Sequence, residues 1–348
     1  MLFTLLAFML VLGVLVLAHE AGHFFTAKAF GIKVNEFGIG YPPRLFAVKR
    51  GDTEYSVNAL PLGGFVKLAG EEDPDVKNSL ASKSHAKRII VLASGAVINA
   101  LLPIILFTGA FMVPHDVATG TVTVIEVAPN SPAAEAGVVA GDIIVSFDGR
   151  ALTNNAELGR VIFLNLGQPA EMEVLRADGT TTTVTVTPRW EPPEGQGAVG
   201  LQTRTEDVVI TEESEPFFSA VGLGFSESLD TLVLFKNSIL SLITGTAEGG
   251  VAGPVGIAQL TGEVARAGLS PLMEFTALLS LNLAILNILP IPALDGGRIA
   301  FVVVEWARRG KRIDPQTEGK IHFIGFAILI TLIVMVTFND IMRIVGGG

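Results

Sequence analysis

Among its 348 residues the chain has no cysteine, which excludes disulfides, thiolate metal ligands and a cysteine nucleophile. Charge is also scarce. Asp, Glu, Lys and Arg make up 17% of the residues, and the net charge is −10. An acidic balance of that kind argues against nucleic acid as a partner. No internal repeat is visible, which weighs against a transporter built from duplicated halves. With mean hydropathy at +0.54, the composition of an ordinary soluble protein is excluded too.

What is there in abundance is apolar sequence. Four stretches stand out: Leu2 to Ala18, Ile89 to Val113, Leu272 to Leu294 and Ile321 to Val336. With its flanks, each supplies the ~20 residues needed to cross a bilayer core. The fold class expected is a polytopic α-helical membrane protein of about four transmembrane helices. The first stretch reads as a retained span, since it lacks a basic leader and its apolar run is too long for a signal peptide. Ten Lys and Arg lie from Lys28 to Arg88 and six from Arg298 to Lys320, whereas Pro114 to Pro271 holds seven diluted among many acids. The positive-inside rule makes the two basic segments cytoplasmic and the long acidic one extracytoplasmic.

The segments are expected as follows. Residues 1–30 form the first transmembrane helix, and 31–88 a cytoplasmic-side, membrane-associated β-hairpin region in which Gly63–Gly64 is a turn signal. A second transmembrane helix covers 89–113. Residues 117–206 make a small soluble unit, with TVTVIEV and TTTVTVTP as strands and NNAELGRVIFL as a helix. GAVGLQT, from Gly197 to Thr203, reads as a short final strand. Residues 216–245 are interrupted by Ser226, Glu227, Asp230, Lys236 and Asn237, and read as an amphipathic interfacial helix. The third and fourth transmembrane helices are expected over 272–304 and 321–340.

The chemistry concentrates in HEAGH, His19 to His23, at the end of the first apolar run. A carboxylate and two imidazoles are costly inside a membrane unless something compensates them. Residues four apart share a helix face, so His19 and His23 project together and can hold one zinc ion. Glu20 is placed to take a proton from an attacking water rather than to bind metal. A third protein ligand is needed, and the position six residues after His23 is Ala29. The best candidate is Asp295 in NILPIPALDGGR, where Pro290 and Pro292 break the helix and Gly296–Gly297 free the backbone. Glu305 and Glu274 are rivals nearer an aqueous boundary.

The unit from 117 to 206, with SPAAEAGVVAGDII followed by DG, resembles a circularly permuted bacterial PDZ domain. HExxH in the first span, PLGGFVK, GPVGI and N-x-x-P-x-P-x-LDG, taken with that unit, resemble the site-2 protease family over nearly the whole chain. The similarity is strongest to the bacterial regulator-of-sigma-E protease type, here with a single PDZ domain. The resemblance implies one Zn2+ per chain, held by His19, His23 and Asp295, with Glu20 as general base. It implies that Asn287 engages substrate or the tetrahedral intermediate. It further implies that the hairpin from Asn58 to Leu68, with Pro61, Gly63, Gly64 and Phe65, pairs with an unwound substrate. In the PDZ unit, Gly197, Val199, Gly200 and Leu201 would meet a peptide. The activity implied is regulated intramembrane proteolysis of single-span membrane proteins, such as anti-sigma factors or remnant signal peptides. The place implied is the bacterial inner membrane, with the active site towards the cytoplasm, the PDZ domain outside and the lipid bilayer as surroundings. The rival reading is a catalytically inactive, PDZ-bearing membrane adaptor.

Overall fold

A computed structural model describes residues 1–71, 73–246 and 252–346, without the side chains of 61 and 62. The residues group into two units: Met1–Ala110, Phe217–Phe225 and Val251–Gly348 in one, and Phe111–Pro216 with Ser226–Gly250 in the other.

The first unit begins with helix α1 (Leu2–Ala29), a proline-free run rich in leucine. Its buried positions, Ala7, Val11, Leu15, Gly22, His23 and Ala27, fall on one helical stripe, while Leu2, Leu5, Leu6, Leu10 and Val14 are exposed. Strands β1 (Val34–Arg50) and β2 (Thr53–Leu68) pair antiparallel, and the chain reverses between them at Gly51–Asp52. Residues 36–39 of β1 have partners on two stretches of β2, 54–57 and 64–67. Val57 and Gly64 therefore flank the same residue, Ile39. The second reversal spans 58–63, wider than the two-residue Gly-Gly turn expected, and Gly63 ends it at φ +143. Helix α2 (His85–Met112) follows. It approaches α1 so closely at Gly22 that a Cβ there would lie 2.5 Å from the Ser94 carbonyl oxygen.

The second unit is a mixed α/β body. It comprises β3 (His115–Val127), α3 (Pro132–Glu135), β4 (Ile143–Phe147), β5 (Arg150–Ala151), α4 (Asn155–Leu164), β6 (Ala170–Leu175), β7 (Thr181–Val186) and β8 (Leu201–Glu213). The sheet order is β7-β6-β4-β3-β8, with β5 beside β4. Alternating residues such as Val122 and Val124, and Ala170, Met172 and Val174, point into a core with Phe147 and Leu158. Ser131 caps α3 and Asn154 caps α4, each accepting from a backbone N–H three residues on. The final strand runs to Glu213, ten residues beyond the expected end, because β3 supplies partners back to His115. Helix α5 (Phe217–Thr244) belongs to this unit from Ser226 onward. Its Glu227 and Asp230 pair with Arg160 and Arg150, and Asn237 donates to the Phe163 carbonyl at 2.6 Å.

The first unit is completed by α6 (Pro254–Ala267), α7 (Leu269–Ile288), α8 (Asp295–Ala307) and α9 (Pro315–Val345). The segment expected as one helix over 272–304 is two helices, separated at Leu289 to Leu294 by the two prolines. Among the described residues five helices are long and apolar enough to cross a membrane: α1, α2, α5, α7 and α9. The fifth, α5, has the lowest hydropathy of these and was expected at the interface.

Candidate active site

The site grows from the helical repeat of HEAGH. One turn of α1 separates His19 from His23, and their Nε2 atoms lie 3.1 Å apart. Asp295, the first residue of α8, brings Oδ2 to 3.0 Å from His19 Nε2 and 3.2 Å from His23 Nε2. Glu305, the rival acid, is engaged elsewhere: it pairs with Arg88 at 2.5 Å.

His23 Nδ1 lies 2.8 Å from the Val91 carbonyl oxygen, which can only accept, so Nδ1 donates and Nε2 is left with a lone pair in the neutral ring. His19 Nδ1 meets no partner among the described residues, so its Nε2 is free to present a lone pair beside that of His23 and the Asp295 carboxylate, three donors that one cation would join. An ideal tetrahedral ion with bonds of ~2.0–2.1 Å has ligand-to-ligand edges of roughly 3.3–3.4 Å. The observed triangle is close to that size, and its donor set suits a zinc-like ion. Gly95 of α2 makes room: a Cβ there would lie 2.5 Å from His23 Nε2 and 2.7 Å from His19 Nε2.

His19 and Asp295 border a cavity of about 330 Å³, lined also by Glu20, Gly63, Gly64 and Asn287. Four of the residues expected to meet substrate, or to act on it, therefore do border one space. Asn58 and Phe65 are used differently. The Asn58 amide donates to the carbonyls of Ile39 and Gly40, and Phe65 packs on Gly38 and stacks with Tyr41. The side chain of Pro61 lies outside the described atoms. Two lining residues, Tyr41 and Asn99, escaped the sequence reading. An asparagine inside an apolar run was the available signal for the second.

The loop carrying Asp295 is held from α9. Ala293 adopts φ +79 and its N–H donates to His322 Nδ1 at 2.9 Å. Gly325 lets Pro292 approach, since a Cβ there would meet the Pro292 carbonyl oxygen at 2.8 Å.

In the second unit, Val199 is buried and its carbonyl accepts from Ala133, while Gly200, at φ +74, accepts from Ala128. Gly197 accepts from Gly200, and Leu201 opens β8 opposite Val127. The four residues thus form the turn into an edge strand.

The pattern defining peptidase family M50 matches residues 7–332. A candidate zinc metalloprotease of Clostridium perfringens is 37% identical over 343 residues, covering 98% of each chain. Zinc metalloprotease RasP of Geobacillus kaustophilus is 29% identical over 423 residues, again covering 98% of each. The regulator of sigma-W protease RasP of Bacillus subtilis is 29% identical over 424 residues, covering 98% of this chain and 99% of its own.

Proposed function

The chain belongs to peptidase family M50, and we propose that it is an intramembrane zinc endopeptidase that cuts transmembrane segments of single-span membrane proteins. The observation that carries this reading is the triangle of His19, His23 and Asp295 donors beside Glu20, at the end of an apolar helix. Those three residues would hold the ion. Zinc bound there would supply polarisation of the scissile carbonyl and would bring the pKa of water down towards neutrality.

Glu20 accepts a proton from the attacking water as the new C–O bond forms, and returns it to the leaving amine as the C–N bond breaks. Asn287 contributes an amide to the same space and serves to orient the substrate or its tetrahedral intermediate. A substrate helix hides its carbonyls in its own hydrogen bonds, so it must unwind before it can be cut. Backbone groups of the β2 stretch around Gly63 and Gly64 replace those bonds by strand addition.

The 115–213 body is read as a PDZ domain, and its turn at Gly197 to Leu201 as the place where a peptide end meets β8. The basic segments lie on the cytoplasmic side and this domain outside, in a bacterial inner membrane. Glu227, Asp230 and Asn237 turn towards that domain, which favours α5 at the interface rather than across the bilayer. The name of the Bacillus subtilis relative ties that protein to sigma-W. Anti-sigma factors and remnant signal peptides are the substrates proposed for this chain by the same resemblance.

The test compares the purified parent with Glu20→Gln for zinc content and for cleavage of a transmembrane reporter. Zinc retained with cleavage reduced by roughly 10²–10⁴ is the expected result. A variant that cleaves as well as the parent overturns the role of Glu20. A parent that binds zinc but cuts nothing favours the adaptor reading.

A further inference from the structure

Asn99 is the least explained residue of the catalytic cavity. It lies on α2 inside an apolar segment and is 1% exposed. Among the described residues neither its Nδ2 nor its Oδ1 has a hydrogen-bond partner. Buried polar groups are almost always paired, and a carboxamide with both ends empty is costly in a membrane interior. Yet the residue is not misplaced by a loose helix. Its backbone carbonyl accepts from Ser280 Oγ at 2.8 Å, and one turn earlier Gly95 abuts the two imidazoles. Residues four apart share a face, so Asn99 lies on the face of α2 that Gly95 turns to the site. The cavity it borders is the one that holds Glu20, Asp295, Gly63 and Gly64.

What would satisfy it is dictated by its chemistry. The planar amide offers one acceptor and a donor pair side by side. In an extended chain the N–H and C=O of a single residue leave the backbone on the same side, the complementary arrangement. An apolar side chain cannot use either group, and a helical substrate keeps its own backbone groups occupied. Only an unwound segment presents both.

We propose that Asn99 is a substrate-binding residue, whose carboxamide pairs with the backbone N–H and C=O of one residue in the unwound segment beside the scissile bond. The assignment rests on the peptidase reading of this cavity. It gives the substrate a second backbone anchor, from α2, in addition to the β2 stretch. Because the bonds are made to the bound peptide before and during reaction alike, the effect falls on KM.

Asn99→Leu removes both bonds at similar volume, and Asn99→Ser guards against misfit of the leucine. Two neutral hydrogen bonds correspond to a KM about 10- to 100-fold higher, with kcat within roughly threefold of the parent. Zinc content and thermal midpoint are expected to hold or rise, since an unpaired buried amide is removed. In a Glu20→Gln background, the same substitution weakens binding of an uncut transmembrane reporter peptide by the same factor. An unchanged KM and peptide affinity overturns the assignment, as does loss confined to kcat. Parallel loss of zinc or stability makes Asn99 a structural residue and overturns it also. A parent that cleaves nothing overturns the peptidase reading itself; a parent that cleaves while Asn99→Leu matches it overturns only the role of Asn99.

Discussion

Ala293 donates its backbone N–H to Nδ1 of His322, 2.9 Å away on α9. Ala293 holds φ +79, which costs an L-residue about 1–2 kcal/mol, and the bond offsets part of that cost. Asp295 follows two residues later. His322 is therefore a positioning residue for the carboxylate, reached through the loop rather than by contact. Replacing it with Leu is expected to weaken zinc retention by roughly 10- to 100-fold, the usual effect of losing a supporting group around a metal. His322→Gln, whose side-chain oxygen can accept the same N–H, recovers part of the loss. Competition with a chelator of known affinity measures both.

Asp295 joins the two imidazoles only because α8 starts at that residue. Asp295→Ala is expected to reduce bound zinc well below one per chain while the helices stay folded. Chelation of the parent abolishes cleavage, and added zinc restores it. Metal analysis beside circular dichroism decides this, and an unchanged stoichiometry moves the third ligand elsewhere.

Gly95→Ala puts a methyl group where the Nε2 atoms of His19 and His23 stand, at 2.7 and 2.5 Å. Neither ring can retreat freely, because His23 is tied to Val91. The substitution is expected to abolish zinc binding and cleavage together. By contrast, Gly13→Ala, where a Cβ meets nothing within 4 Å, leaves both unchanged. The pair is compared by metal content per chain.

Arg88 and Glu305 form an ion pair between α2 and α8, with the residues 7% and 3% exposed. Arg88→Met strands a buried carboxylate and is expected to destabilise the protein by about 3–5 kcal/mol. The double variant Arg88→Met with Glu305→Leu recovers most of that, since replacing both charges by apolar groups is often neutral. Thermal melts in one detergent, run on parent, single and double variants, give the comparison. A single variant as stable as the parent sinks the idea.

HEAGH was legible because its meaning is local. The helical repeat alone sets His19 and His23 on one face and Glu20 beside them, whatever the rest of the chain does. The apolar runs were legible for the same reason. Asp295 could be nominated from its charge in an apolar, proline-broken stretch, but Glu305 was equally charged. What separated them was Arg88, 217 positions away from Glu305 in the chain. Asn99 was marked only as an amide within an apolar run and His322 not at all, because the role of each is defined by what another helix brings to it. The break between α7 and α8 was implied by two prolines, whereas the partners of residues 36–39 on two stretches of β2 were not. Residue type and spacing determine which atoms a single helix turn or strand can present. Only the packing of helices at their glycines and the pairing of distant strands decides which presented atoms meet, since those contacts depend on shapes contributed from far apart in the chain.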